Sequence, residues 1–184
     1  MDGLRTGLER FIECRAESAV SIIALSPLPG GTMRHAWAVD LDVPSGPLAG
    51  SLRLIYLQDR GGAPLGSRLS REDEFRVLSV MHGARVRVPK PYWRVPAGDA
   101  SGVAPGLIVE RVEGETLARR LMQDPAFERA RAHLLEQIGE ELARLHAVPT
   151  DALGCLSRPA AGKTQAEAQL ADLEGKLRQI GEPH

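Results

Sequence analysis

The feature that most constrains this chain is a change of period near Thr116. Before it, apolar residues alternate or run together as strands do; after it, they recur only at helical spacing. An opening helix carries Leu4, Leu8, Phe11 and Ile12 on one face. Val20 to Leu28 reads as a strand, broken by Pro29-Gly30-Gly31. Ala36 to Val43 reads as a second strand, with Trp37, Val39 and Leu41 alternating against Ala38, Asp40 and Asp42, so the pair forms a hairpin. Leu52 to Gln58, nearly continuous in apolar residues, predicts a strand in the middle of its sheet. A helix follows from Ser70, where Ser70 and Asp73 resemble a capping box and Phe75, Leu78 and Met81 form the apolar stripe. Val86 to Val95 is strand-like despite Pro89 and Pro91, and Leu107 to Val112 is a further strand closed by Glu113-Gly114-Glu115. Beyond Thr116, Leu134, Leu135, Ile138, Leu142 and Leu145 mark an amphipathic helix, and a more polar helix spans Gln165 to Ile180. This order predicts an α+β fold: an antiparallel sheet of about five strands with a packed helix, then helices alone.

Composition narrows the partners. A formal net charge of −1 leaves no electrostatic footprint for nucleic acid or for an anionic membrane. No stretch approaches the roughly 18 consecutive apolar residues of a membrane span, and the charged, amphipathic start from Met1 to Glu13 is unlike a secretory signal, so a cytoplasmic protein is expected. Cys14 and Cys155 lie far apart, with no histidine pair near either, and do not read as a zinc site.

Five stretches in order carry a resemblance. They are Leu28-Pro29-Gly30-Gly31-Thr32-Met33-Arg34-His35-Ala36-Trp37, Arg71 to Leu78, Val86-Arg87-Val88-Pro89-Lys90-Pro91, Ile108 to Gly114, and Glu140 to His146. Together they resemble the aminoglycoside phosphotransferase and choline kinase-like family, whose small lobe has a protein-kinase-like fold. The resemblance implies a nucleotide-binding lobe over residues 1–113 and an incomplete helical start of the catalytic, substrate-binding lobe over 114–184. It implies a glycine turn at Gly30, Gly31 and Thr32 over nucleotide phosphates, where glycine lets the backbone approach closely. It implies main-chain contacts to the base from Glu110, Arg111 and Val112. It also implies that Glu74 pairs with a basic residue that holds phosphate. The cofactor would be ATP or GTP with magnesium, and the acceptor an unknown small molecule with a hydroxyl group.

Two departures limit what this chain is expected to do. The resemblance places a basic residue near the end of the third strand, where Leu54-Ile55-Tyr56-Leu57-Gln58-Asp59 offers Leu57. Arg53 shares the face of Leu57 but lies four residues back, roughly 13 Å at strand rise, and Gln58 should face the other side. The anchor for phosphate is therefore missing or comes from elsewhere, and weak or no nucleotide binding is expected. The family's His-Gly-Asp catalytic loop has no match either: none of His35, His82, His133, His146 and His184 opens one. Asp40 and Asp42 have an Asp-x-Asp spacing, but the strand period puts both on one face, expected to meet solvent and not metal. The expectation is a phosphotransferase fragment, inactive alone, with no catalytic or metal-binding residues of its own. A non-catalytic nucleotide-binding or interaction module, which Leu57 favours, and a gene remnant are the alternatives. The last helix, with a narrow apolar stripe, needs a partner surface, and a second copy of the chain is one.

Overall fold

The computed structural model describes residues 2–29, 34–59, 69–156 and 158–180. It contains one five-stranded antiparallel sheet of order β1-β2-β3-β5-β4, with strands β1 (Ser21–Leu28), β2 (Arg34–Val43), β3 (Gly50–Asp59), β4 (Pro91–Val95) and β5 (Gly106–Glu110). Helix α1 (Asp2–Ala16) precedes the sheet and α2 (Arg71–Gly83) lies between β3 and β4. Helices α3 (Ala118–Gln123), α4 (Glu128–His146) and α5 (Gln165–Ile180) follow it. The α+β class and the near-central third strand are as the sequence predicts. The strand-like run from Val86 shortens to Pro91–Val95, because Pro89 and Pro91 have no N–H to give a ladder.

The strand period divides the sheet into two faces with different tasks. One face is the core. Val39, Leu41 and Val43 of β2, Leu54 and Tyr56 of β3 and Ile108 of β5 pack against Leu8, Phe11, Ile12 and Ala16 of α1. Burying each large side chain contributes roughly 1.5–3 kcal/mol, so α1 is bound to the sheet by its stripe. It also protects the sheet's edge: Glu9 and Glu13 accept hydrogen bonds from the main-chain N–H groups of Ile22 and Val20, at 3.1 and 3.2 Å. Free edge amides would otherwise invite pairing with another chain.

Tyr56 lies in this core with 0% exposure, and its hydroxyl donates to the carbonyl of Ala104. Burial, aided by the charge of Asp59, pushes the phenol well above its ordinary value of 10.0. A raised folded-state pKa stabilises the fold while the phenol stays neutral; that stability is complete below the unfolded value and is lost as pH rises past it. Thermal unfolding followed from pH 8 to about pH 12 should therefore show a steeper loss above about pH 10 in the parent than in Tyr56→Phe. At neutral pH the same substitution should cost about 1 kcal/mol for the lost hydrogen bond. Parallel pH profiles for the two proteins would contradict this assignment.

The other face carries α2. Ser70 caps that helix as expected, accepting from the N–H of Asp73 at 3.0 Å and donating to its carboxylate at 2.6 Å. A small second cluster, Met81, Val86 and Val148 with Val77, Val80 and Leu153 around it, ties α2 to the segment after α4. Glu141 of α4 adds an ion pair with Arg87 at 3.0 Å.

Candidate functional site

On the face opposite α1, cross-strand pairing sets residues in four rows. The β2–β3 register runs without a shift from Arg34↔Asp59 to Val43↔Gly50. The first row is Arg34 and Asp59. The second is Leu28, Ala36, Leu57 and Leu107, and the third is Ser26, Ala38, Ile55 and Val109. The fourth is Asp40 and Arg53, with the N–H of Arg111 donating to the Arg53 carbonyl at 2.9 Å. Apart from Ser26 the two middle rows are apolar, and over β2 they are small. Leu28 and Ser26 are exposed and Ala36, Ile55 and Leu57 partly so. Charged residues close both ends, so a mainly apolar lane, in which Ala38, Leu107 and Val109 are buried, runs between two polar borders.

The first border is a network of four side chains. Arg34 forms a two-pronged pair with Glu74, Nη1 to Oε1 at 2.9 Å and Nη2 to Oε2 at 2.8 Å. Arg71, one turn earlier on α2, donates to Glu74 at 2.6 Å and through Nε to both oxygens of Asp59 at 2.6 and 2.8 Å. The hydrogen bond that Arg71 donates to Asp59, with smaller help from Glu74 and against the pull of burial, raises Arg71 further above its ordinary value. Forked guanidinium–carboxylate pairs fix direction as well as charge, so the start of β2, the end of β3 and the start of α2 are held in one geometry.

The second border is the pair Arg111–Asp40, 2.5 Å between Nη2 and Oδ1. The contact is close but poorly aligned. Among the described residues, Asp40 Oδ1 and Arg111 Nε are buried with no aligned hydrogen-bond partner. Asp40 was expected to meet solvent. It instead meets Arg111, just after β5, because the β2–β3–β5 ladder brings that residue across from it; Asp42 accepts from the Ser51 hydroxyl at 2.6 Å.

The residues singled out by sequence are placed as follows. Gly30, Gly31 and Thr32 lie outside the described residues. Glu74 faces the lane's end with 24% of its side chain exposed. Glu110 donates its N–H to the Lys90 carbonyl at 2.8 Å, and its carboxylate accepts from the Lys90 N–H at 3.1 Å. With the Arg111 amide also committed within the sheet, Val112, 62% exposed, is left as the linker residue whose amide no described residue takes. Leu57 lies on the lane face between Ala36 and Leu107, and Arg53 turns to Glu113 at 2.6 Å. Gln58 faces the core side, where it accepts from the Trp37 indole at 3.1 Å. Arg34 and Arg71 were not among the expected residues. Arg34 shares the alternation of Ala36, Ala38 and Asp40, a signal obscured by reading the strand as starting at Ala36. Among the described residues, no cluster of three or more His, Cys, Asp or Glu side chains stands where it could hold a metal ion. Nor is any described helix long and apolar enough to cross a membrane.

Comparison with known proteins agrees with this architecture. The model of the phosphotransferase enzyme family matches residues 51–182. The fold resembles a crystal structure from Ralstonia eutropha JMP134, described as a candidate aminoglycoside phosphotransferase, with a TM-score of 0.63 at 17% identity. The similarity covers 97% of this chain and 48% of that one, so this chain spans about half the length of that protein. No curated protein matches.

Proposed function

Because the chain belongs to the phosphotransferase enzyme family, we propose that the lane between Arg34–Glu74 and Asp40–Arg111 holds the nucleoside triphosphate of a small-molecule kinase. The single observation that supports this is the sequence of rows: a charged network, two apolar rows of small and aliphatic side chains, and a second charged border beside the linker strand. A purine ring would lie on Ala36, Ala38 and Leu57, with its edge toward the Val112 amide. The triphosphate would point toward the glycine turn and the Glu74 network, on the side where β2 begins.

In such an enzyme the acceptor's hydroxyl oxygen forms a bond to the γ-phosphorus as the bond from that phosphorus to the β–γ bridging oxygen breaks, and the hydroxyl proton is released. Catalysis is largely positioning and electrostatic stabilisation. Magnesium would supply charge neutralisation there, but the described side chains provide no cluster to bind it. The residues of this chain would hold and orient the nucleotide. With no His-Gly-Asp loop in the sequence, transfer by this chain alone is not part of the proposal. A non-catalytic nucleotide-binding module is the second reading, favoured by the uncharged Leu57.

Calorimetric titration with ATP, GTP and adenosine, paired with an assay for ADP release in the presence of magnesium and hydroxyl compounds, tests this directly. Binding of a nucleotide with no acceptor-dependent ADP release is the expected result. No binding of any of the three would refute the nucleotide site, and acceptor-dependent ADP release would refute the restriction to binding.

A further inference from the structure

We propose that Arg34 is the cation that engages the nucleotide's phosphates in this chain, in the role that Leu57 cannot fill. This rests on the reading of the lane as a nucleotide site and adds the identity of its anchor.

Three observations carry it. The first is register. Arg34 lies two residues before Ala36 on the same strand, and Ala36 is directly opposite Leu57. Arg34 therefore projects from the same face as Leu57, one row further toward the start of β2. The second is the partner. Besides Arg71 of its own helix, Glu74 pairs with a cation from β2 and not from β3, and the two-pronged geometry fixes that guanidinium at the end of the lane. The third is donor supply. Guanidinium carries five N–H donors. Arg71 turns its own toward two carboxylates, Asp59 and Glu74. Arg34 bonds to Glu74 alone among the described side chains, with 23% of its side chain exposed. No described residue takes its remaining N–H groups, and a guanidinium fits phosphate oxygens well.

Of the other cations on this face, Arg94, opposite Leu107 on β4, stands 3.8 Å from Glu72 at the α2 side of the sheet. Arg53 pairs with Glu113, and Arg111 with Asp40, both at the far border of the lane. The positions are six residues along β2 from Arg34 to Asp40, roughly 20 Å at strand rise. That spacing separates a base end from a phosphate end.

The test compares ATP and adenosine by calorimetry in the full chain and three variants. Arg34→Gln should weaken ATP binding by roughly 10- to 100-fold, the loss of one charge-assisted contact, and leave adenosine unchanged. Arg34→Lys should recover part of the loss. The double change Arg34→Leu with Leu57→Arg moves the cation one row along the same face and should also restore preference for ATP. In the unaltered chain, the Arg34 Nε–H resonance should shift on adding ATP and not on adding adenosine; this readout holds even if a variant fails to fold. An unmoved Arg34 resonance, or ATP affinity retained in a folded Arg34→Gln, would overturn the assignment while adenosine binding leaves the lane intact. Failure of the unaltered chain to bind either ligand would overturn both.

Discussion

Gly106→Ala is expected to destabilise the chain by about 3 kcal/mol, at the upper end of what overpacking costs. Gly106 opens β5, opposite Gln58 on one side and Val95 on the other. A methyl group there would stand 2.3 Å from the Leu57 carbonyl oxygen and 2.8 Å from the Tyr56 ring. The ring could yield by rotating, but Tyr56 is locked in the core by its hydrogen bond to Ala104. The carbonyl belongs to the middle strand of the sheet and can move only by breaking the β3–β5 ladder. Chemical denaturation should show a lowered midpoint with little change in slope if the fold survives. The change should also weaken nucleotide binding, since Leu57 forms part of the lane. A stability within about 0.5 kcal/mol of the parent, the range of surface substitutions, would mean that the close approach of β5 to β3 is misjudged.

Hydrogen exchange should separate the two ends of the chain by several orders of magnitude. The amides of β3 lie in the middle of the sheet, with Leu54 and Tyr56 fully buried beneath α1. Their exchange requires opening the core, so they should report the global stability. In α5 the stripe residues Leu170, Leu173 and Leu177 are 59%, 55% and 66% exposed. Without burial, the ordering entropy of about 1–2 kcal/mol per residue is opposed only by helical hydrogen bonds and local pairs such as Lys176–Asp172. A helix of this length is marginal by itself. At low protein concentration, α5 should therefore exchange nearly as fast as a free peptide. Helix α4 also carries an exposed apolar stripe: Leu135 is 84% exposed and Ile138, Leu142 and Leu145 are each more than 40% exposed. If raising the concentration slows exchange in α4 and α5 together, the stripes pair with a second copy. Protection in α5 equal to that of β3 in a proven monomer would contradict the account of α5.

What the sequence revealed and concealed follows from these same interactions. Alternation in Trp37, Val39 and Leu41 was enough to place a strand, because that face packs into the core and shows a clear period of 2. Ser70 and Asp73 announced the start of α2 because a capping bond is local. Leu57 could be set on the lane face, and Gln58 on the other, because β3 runs without a bulge against β2. The partner of Glu74 was not legible. It comes from forty residues away, and Arg34 stood beside a proline-glycine turn where strand period is hard to extend. Asp40 was misplaced for a related reason: the face was visible in the alternation, but what crosses that face depends on β5 joining β3, a pairing no local pattern specifies. The short β4 shows the opposite limit, where two prolines overrode an otherwise strand-like run.

The central claim is that the sheet face opposite α1 receives a nucleotide, base on the apolar lane and phosphates at Arg34. Methyl-labelled NMR of the full chain during an ATP titration tests this most directly. Ala36, Ala38, Ile55 and Leu57 should shift together and saturate at one affinity, while Leu41 and Leu54, on the buried face against α1, stay nearly fixed. Shifts confined to the α1 side, or none in the lane at saturating ATP, would contradict it.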